Sequence, residues 1–193
     1  MKNVLLIAGM AALVACNNQP AATDATKPAA DSTAAAKPAA MADINSPYKV
    51  GYSAKFEMGD PKNAETVLSI YQAWDAGDLI AAKDKFADSL TLYFADGNMV
   101  HGARDSVLAM GQKERSMLAK SVTELNAITA LKSTDKNESW ALAWIKETDT
   151  DKKGKETAYY LQETWRFDNG KAALVYQFKA EGPKPAAKPA MKK

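Results

Sequence analysis

The chain has only one cysteine and one histidine among its 193 residues. A single thiol excludes an intrachain disulfide, and structural zinc sites usually take four Cys or His ligands. The sequence also has no phosphate-binding loop, nucleophile elbow or metal-ligand cluster. We therefore expect neither a metal ion nor a cofactor.

An excess of charge of one sign is missing as well. The 25 basic and 23 acidic residues leave a net charge of +2, and no basic patch is interleaved with aromatic residues. This balance argues against a nucleic-acid partner. No apolar run reaches the roughly 18 residues that a transmembrane helix needs.

The N-terminus carries the clearest targeting pattern. Lys2 precedes an apolar stretch over residues 4–14, which is the layout of an export signal. The stretch ends in Leu-Val-Ala followed by Cys16, and this ending resembles the lipobox of bacterial lipoprotein signals. The resemblance implies a signal peptide over residues 1–15 and acylation of Cys16, whose acyl chains would anchor the protein in a membrane. The alternative is an ordinary signal peptide with a chance cysteine.

The residue after Cys16 bears on location. Asn17 stands where an aspartate would, in enteric-type sorting, retain the protein at the inner membrane. The expected location is therefore the bacterial cell envelope, with the lipid anchor in the outer membrane.

Low-complexity segments flank the central part of the chain. Residues 16–42 are rich in Ala, Pro, Thr and Lys and have Met41 as their one large apolar side chain, so they cannot bury enough surface to fold. We predict a disordered tether there and a disordered Lys/Pro tail over residues 181–193. A weak attraction of the tail to anionic envelope polymers is the alternative reading. Residues 43–62 alternate in polarity near their end and predict an extended arm or short strand.

The domain itself is predicted over residues 63–180. Asp60 and Pro61 suit the N-cap and first position of a helix that runs to Asp-Ala-Gly-Asp at 75–78. A second helix with inward Leu79, Ala82 and Phe86 follows, then a strand over residues 90–94. After a turn at 95–98 and a loop, a third helix is predicted from about residue 104 to 118.

The remaining residues read as strands over 121–132, 139–148, 157–167 and 172–179. Asn169-Gly170 between the last two favours a tight hairpin. Helices followed by hairpin-linked strands predict the α+β class, with a curved antiparallel sheet covered by helices on one face.

The order of these elements resembles the nuclear-transport-factor-like cone fold, which includes SnoaL-like polyketide cyclases and ketosteroid isomerase. The resemblance covers about residues 63–180 and implies three N-terminal helices on a curved sheet, with a pocket between them. It rests on four short motifs: Trp74-Asp75-Ala76-Gly77-Asp78, Phe86-Ala87-Asp88, Gly102, and Arg166-Phe167-Asp168-Asn169-Gly170-Lys171.

The same resemblance argues against isomerase chemistry. That reaction uses an Asp base and an oxyanion hole formed by a Tyr and a protonated Asp. An ungapped count from the Asp-Ala-Gly-Asp motif places Phe94 at the position of the base and Ile70 at that of the tyrosine. Neither side chain can perform these roles.

Two titratable residues remain candidates for catalysis. Glu163 shares a predicted strand face with four apolar side chains, and burial of this kind raises the pKa of a carboxyl. His101 lies where the family's loops approach the pocket, and its pKa is ordinarily near neutral. The catalytic hypothesis pairs His101 with Glu163 as acid and base. The alternatives are a Glu163 that pairs with a Lys or Arg or lies at a sheet edge in water, and a surface or capping His101.

Aromatic and apolar residues supply the predicted pocket. They are numerous for a domain of this size and could line a cavity, pack as ordinary core, or form a dimer face on the sheet. The expected lining residues are Tyr71, Trp74, Tyr93, Met110, Trp144 and Trp165.

Three functions follow from these observations. The first is a lipid-anchored envelope protein whose domain binds a small apolar ligand or a protein partner without catalysis. The second is a SnoaL-like enzyme of isomerase, cyclase or hydrolase type that uses acid and base residues in the pocket. The third is a structural homodimer formed through the sheet.

Overall fold

The computed structural model describes residues 44–180 and residue 182. The predicted signal peptide over residues 1–15, Cys16, the tether to residue 42 and nearly all of the Lys/Pro tail lie outside the described residues. Within the described part, no helix is both long and apolar enough to cross a membrane.

The domain contains seven strands, two α-helices and one 3-10 helix within the described residues. In chain order they are β1 (Phe56–Met58), α1 (Pro61–Asp75), the 3-10 helix (Leu79–Lys85), β2 (Phe86–Tyr93), β3 (Met99–Ala103), α2 (Arg104–Met117), β4 (Leu118–Ser133), β5 (Glu138–Asp151), β6 (Glu156–Asp168) and β7 (Lys171–Ala180).

The first helix begins and ends as its sequence dictates. The Asp60 carboxylate accepts a hydrogen bond from the Lys62 backbone N–H at 2.9 Å, and Pro61 occupies the first turn. Gly77, with φ of +80°, takes the left-handed conformation that stops the helix. The Asp60 cap and Pro61 confirm the predicted helix start.

The second predicted helix is a 3-10 helix and is shorter than expected. Its two buried residues, Leu79 and Ala82, are three positions apart, which matches the three-residue turn of this helix type. Phe86 is the first residue of β2 instead of the last inward residue of the helix.

A hairpin replaces the predicted loop before α2. β2 and β3 pair antiparallel around the turn at residues 95–98, where the Phe94 N–H donates to the Asn98 carbonyl at 2.9 Å. Gly97 takes a φ of +88° in this turn. Thus His101 lies within a strand.

All seven strands form one sheet in the order β1-β4-β5-β6-β7-β2-β3. The α+β class and the curved sheet are confirmed, with one difference in strand direction. β2 and β7 run parallel, while every other neighbouring pair is antiparallel. The parallel pair arises because the last strand inserts between β6 and the early hairpin. A register shift between Leu125 and Ala127 of β4 adds to the curvature.

The two faces of the sheet differ in burial. We define the inner face as the one that packs against α1, α2 and the 3-10 helix, and the outer face as the opposite one. Ala141, Ala143 and Ile145 of β5 lie on the inner face and are at most 2% exposed. The small Ala141 and Ala143 let the helices approach the sheet closely. Because side chains alternate along a strand, Trp140 and Trp144 of β5 lie on the outer face.

Candidate functional site

A pocket of about 350 Å³ opens beside the inner face, where the β2–β3 turn approaches β5, β6 and β7. Its lining combines aromatic, aliphatic and charged side chains. The residues are Phe94, Ala95, Asp96, Glu147, Asp149, Tyr159, Leu161, Gln177 and Lys179. We call this site the carboxylate pocket.

Glu147 and Asp149 reach the pocket because they continue the inner face of β5. Ala143 and Ile145 precede them with the same two-residue period. Burial, together with the charges of Asp149, Glu163 and Asp75, raises the pKa of Glu147 to about 8, against a smaller opposing effect of Arg115. Glu147 is therefore a carboxyl that titrates near neutral pH.

Hydrogen bonds hold two neighbouring carboxylates in place. Asp149 accepts from the Ser121 hydroxyl at 2.7 Å, and that hydroxyl accepts from the Trp74 indole at 3.0 Å. Asp75, from the Asp-Ala-Gly-Asp motif, accepts from the backbone N–H and the hydroxyl of Thr123, both at 3.0 Å. Both carboxylates are thus held by neutral donors.

The basic side chain among the lining residues is Lys179. Its ammonium lies 4.2 Å from the centre of the Tyr159 ring, in a cation–π contact. The four ionisable residues of the lining other than tyrosine are Asp96, Glu147, Asp149 and Lys179, so acidic groups exceed basic ones.

Glu163 occupies a separate, buried cluster next to the pocket. It is 6% exposed and accepts three hydrogen bonds: from the Tyr71 hydroxyl at 2.6 Å, the Trp165 indole at 3.1 Å and the Gln177 amide at 3.0 Å. Burial and the adjacent Glu163 charge raise the pKa of Tyr71, which keeps its hydroxyl a donor. Gln177 contributes to the pocket lining as well, and so connects the two sites.

The structure does not bring His101 and Glu163 together. His101 pairs with Thr91 across β2 and β3, and its Nδ1 lies 2.9 Å from the Thr91 hydroxyl. Thr91 pairs in turn with Leu174 and Leu174 with Arg166, which places this row on the outer face. Glu163 lies on the inner face.

The six predicted pocket residues divide into two sets. Tyr71 and Trp165 are buried beside Glu163, and Trp74 packs against the core with its indole on Ser121. The other three are exposed away from the carboxylate pocket. Tyr93 stacks on Tyr176, Trp144 lies on the outer face, and Met110 lies on α2.

The two residues at the isomerase positions lie in different parts of the domain. Ile70 is buried in the core, whereas Phe94 lines the carboxylate pocket. Among residues 44–180, no group of three or more His, Cys, Asp or Glu is placed to hold a metal ion.

Sequence reasoning missed Glu147, Asp149, Gln177 and Lys179. Extending the two-residue period of Ala141 and Ala143 along β5 would have identified the first two. Gln177 is directly opposite Glu163 in the β6–β7 ladder, but that register depends on the shift between Arg166 and Phe167. No local pattern marks such a shift.

No protein-family model matches this chain, and no curated protein matches it. Solved structures do. An NTF2-like protein of unknown function from Burkholderia pseudomallei is 19% identical, with a TM-score of 0.50 and coverage of 62% of this chain and 91% of that one. A candidate SnoaL-like polyketide cyclase from Jannaschia is 10% identical, with a TM-score of 0.52 and coverage of 62% and 86%.

A third solved structure is an LEH-like epoxide hydrolase from M. tuberculosis. It is 9% identical, with a TM-score of 0.53 and coverage of 62% of this chain and 83% of that one. At such low identities the likeness shows the fold alone. The domain has the NTF2-like, SnoaL-like cone fold, as its resemblance to this superfamily implied.

Proposed function

We propose that this protein is a lipid-anchored component of the bacterial cell envelope whose cone-fold domain binds a small molecule without transforming it. The carboxylate pocket is the observation that carries the binding role. Its volume of about 350 Å³ falls in the range of small-molecule sites. A site of this size favours a small ligand over a protein partner at the inner face.

The pocket changes the ligand chemistry expected from the sequence. Phe94, Tyr159 and Leu161 offer apolar surface, while three carboxylates share the same walls. A purely apolar ligand would desolvate these polar groups without pairing them, which is costly. The ligand we propose therefore has an apolar body and at least one polar group.

The absence of catalysis is supported by how the candidate groups are engaged. The Tyr71 hydroxyl donates a hydrogen bond to Glu163, and both Glu163 oxygens already accept hydrogen bonds. The only histidine lies on the opposite face of the sheet from Glu163. These contacts suit a structural role for the Tyr71–Glu163 pair.

An acid/base enzyme is the second candidate, and Glu147 is the observation that favours it. A carboxyl with a pKa of about 8 inside a pocket can accept and donate a proton near neutral pH. Two solved structures with this fold are described as an LEH-like epoxide hydrolase and a candidate SnoaL-like polyketide cyclase. In this role Glu147, instead of Glu163, would be the base.

The membrane anchor is tested with Cys16→Ser. We expect the unchanged chain, expressed in a Gram-negative host, to incorporate labelled palmitate and to fractionate with outer membranes. The variant should incorporate none and should leave the membrane fraction. Palmitate incorporation into Cys16→Ser would contradict the anchor, since Cys16 is the only cysteine.

The binding role is tested by mass spectrometry of small molecules that copurify with the chain. Ala95→Trp narrows the pocket, whereas Ala119→Trp, at an exposed position of β4, serves as the control. We expect a bound molecule to be lost only with Ala95→Trp. Recovery of a chemically altered molecule, dependent on Glu147, would favour the enzyme instead.

A further inference from the structure

Tyr159 already holds a cation at the edge of the carboxylate pocket. The Lys179 ammonium lies 4.2 Å from its ring centre, and both residues line the pocket. A positive charge over a ring face is attracted by the quadrupole of the ring. The contact between Lys179 and Tyr159 therefore shows that this wall of the pocket accommodates a cation.

The opposite charges come from β5 and from the β2–β3 turn. Asp149 is oriented by Ser121, and Asp96 accepts hydrogen bonds from Asn98, which lower the pKa of Asp96 and keep it ionised. Within the described residues, the Glu147 carboxyl forms no hydrogen bond, and burial and neighbouring charges are the main causes of its raised pKa. Its oxygens are the ones left for a ligand.

The charges around Glu147 come from every element packed near it. Acidic groups are contributed by α1, the β2–β3 turn, β5 and β6, and basic groups by α2 and β7. They are Asp75, Asp96, Asp149 and Glu163 against Arg115 and Lys179. Arg115 donates to the carbonyls of Trp74 and Asp75, and Lys179 lies over Tyr159, so neither pairs with Glu147.

We propose that the carboxylate pocket binds a small organic cation, a molecule with a protonated amine on an apolar body. The ammonium lies between Glu147 and Asp149, and the body packs against Phe94, Tyr159 and Leu161. This inference rests on the proposed binding function and specifies the class of ligand. Lys179 competes with the ligand for the same aromatic and acidic groups.

Binding is coupled to a proton. Bringing an ammonium next to Glu147 favours its ionised form, so the complex releases a proton when it forms below the pKa of about 8. Calorimetry in two buffers of different ionisation enthalpy measures this release directly. A neutral ligand does not favour the ionised form of Glu147, so its binding should release no proton.

The test uses three matched probes and the full-length chain in detergent at neutral pH. They are 2-phenylethylamine, neutral 2-phenylethanol and anionic phenylacetate, with binding followed through the methyl NMR signals of Leu161. We expect the amine to bind about tenfold more tightly than the alcohol and to release a proton, and the anion to bind least. If the alcohol or the anion binds near Leu161 as tightly as the amine, the proposed preference for a cation is wrong, but the proposed binding function still holds.

Variants keep the test independent of any single substitution. Glu147→Gln preserves shape and should abolish the preference for the amine, while Glu156→Gln, exposed at the start of β6, should not. Lys179→Met removes the competing ammonium and should tighten amine binding about threefold. Amine binding that is unaffected by both Glu147→Gln and Lys179→Met overturns the inference. If no probe and no member of a broad fragment set perturbs Leu161, the proposed binding function fails with it.

Discussion

At the scale of single residues, Glu163 shows that a buried carboxylate can have a structural role instead of a catalytic one. A carboxylate on an apolar face looks like an acid or base, but here it accepts hydrogen bonds from Tyr71, Trp165 and Gln177. Three donors compensate much of the cost of burying the charge. The Tyr71 donor lies 92 positions away in the sequence, so no local pattern could reveal it. Glu163 thereby links α1 to β6 and β7.

Glu147 is the contrasting residue, and it predicts a pH dependence of stability. Its native pKa of about 8 is above the roughly 4.3 of an unfolded glutamate. Between these values the native state binds more protons than the unfolded state. Its contribution is therefore fully present below the unfolded pKa and is lost as the pH rises through about 8.

We expect Glu147→Gln to remove this loss. At about pH 4 the variant and the unchanged chain should have the same free energy of unfolding. Near pH 8 the free energy of unfolding of the variant should be higher by on the order of 2 kcal/mol. The upper bound of this difference is about 1.4 kcal/mol for each unit by which the pKa of Glu147 is raised. Urea unfolding across this range measures the difference, and Glu156→Gln is the exposed control. A difference that does not grow with pH would contradict the raised pKa of Glu147.

At the scale of elements, α2 holds the turn that ends α1. The Gln112 amide donates to the Gly77 carbonyl at 2.8 Å and accepts from the Leu79 N–H at 2.8 Å. The Arg115 guanidinium donates to the carbonyls of Trp74 at 2.6 Å and Asp75 at 3.0 Å. Helix α2 therefore supplies donors to the Asp75 and Gly77 carbonyls and a second donor to the Trp74 carbonyl, which also accepts from the Gly77 N–H.

Arg115→Lys tests this arrangement because it keeps the charge and loses the planar fork of donors. Arg115 is 6% exposed, so water cannot replace both bonds. We expect the free energy of unfolding to fall by about 1.5–3 kcal/mol, the range for hydrogen bonds to charged groups. Glu114→Gln, the exposed neighbour on α2, should change it by less than about 0.5 kcal/mol. Equal stability of Arg115→Lys and the unchanged chain would refute the capping role.

The elements that sequence could predict are those with local causes. The start of α1 depends on Asp60 and Pro61, and the last hairpin depends on Asn169 and Gly170, whose φ values of +51° and +76° suit a two-residue turn. The second helix was predicted, but its 3-10 type and its end at Lys85 were not, and β3 was missed, because both elements are short and their burial patterns come from partners elsewhere in the chain. The carboxylate pocket was missed for the same reason, since four separate segments build it.

At the scale of the whole domain, the outer face carries several exposed aromatic side chains. Across β5, β6 and β7, one row places Trp144 and Phe178 on either side of Gln162. Trp144 is 41% exposed and Phe178 is 55% exposed. The next row brings Tyr176 onto Tyr93 at 4.7 Å between ring centres. Exposed aromatic side chains that gather on one face are typical of association surfaces.

A homodimer through this outer face follows as the last prediction, because two copies could bury these aromatic rows against each other. We expect sedimentation to show a dimer that Trp144→Ser combined with Phe178→Ser converts to a monomer. Met110→Ser removes an equally exposed apolar side chain, 54% exposed, from α2 and should leave the dimer intact. Ligand binding in the carboxylate pocket should survive in the monomer, since the pocket opens beside the inner face. If the double variant stays dimeric, the dimer interface lies elsewhere. If the unchanged chain is monomeric, the prediction of a homodimer through the outer face is wrong.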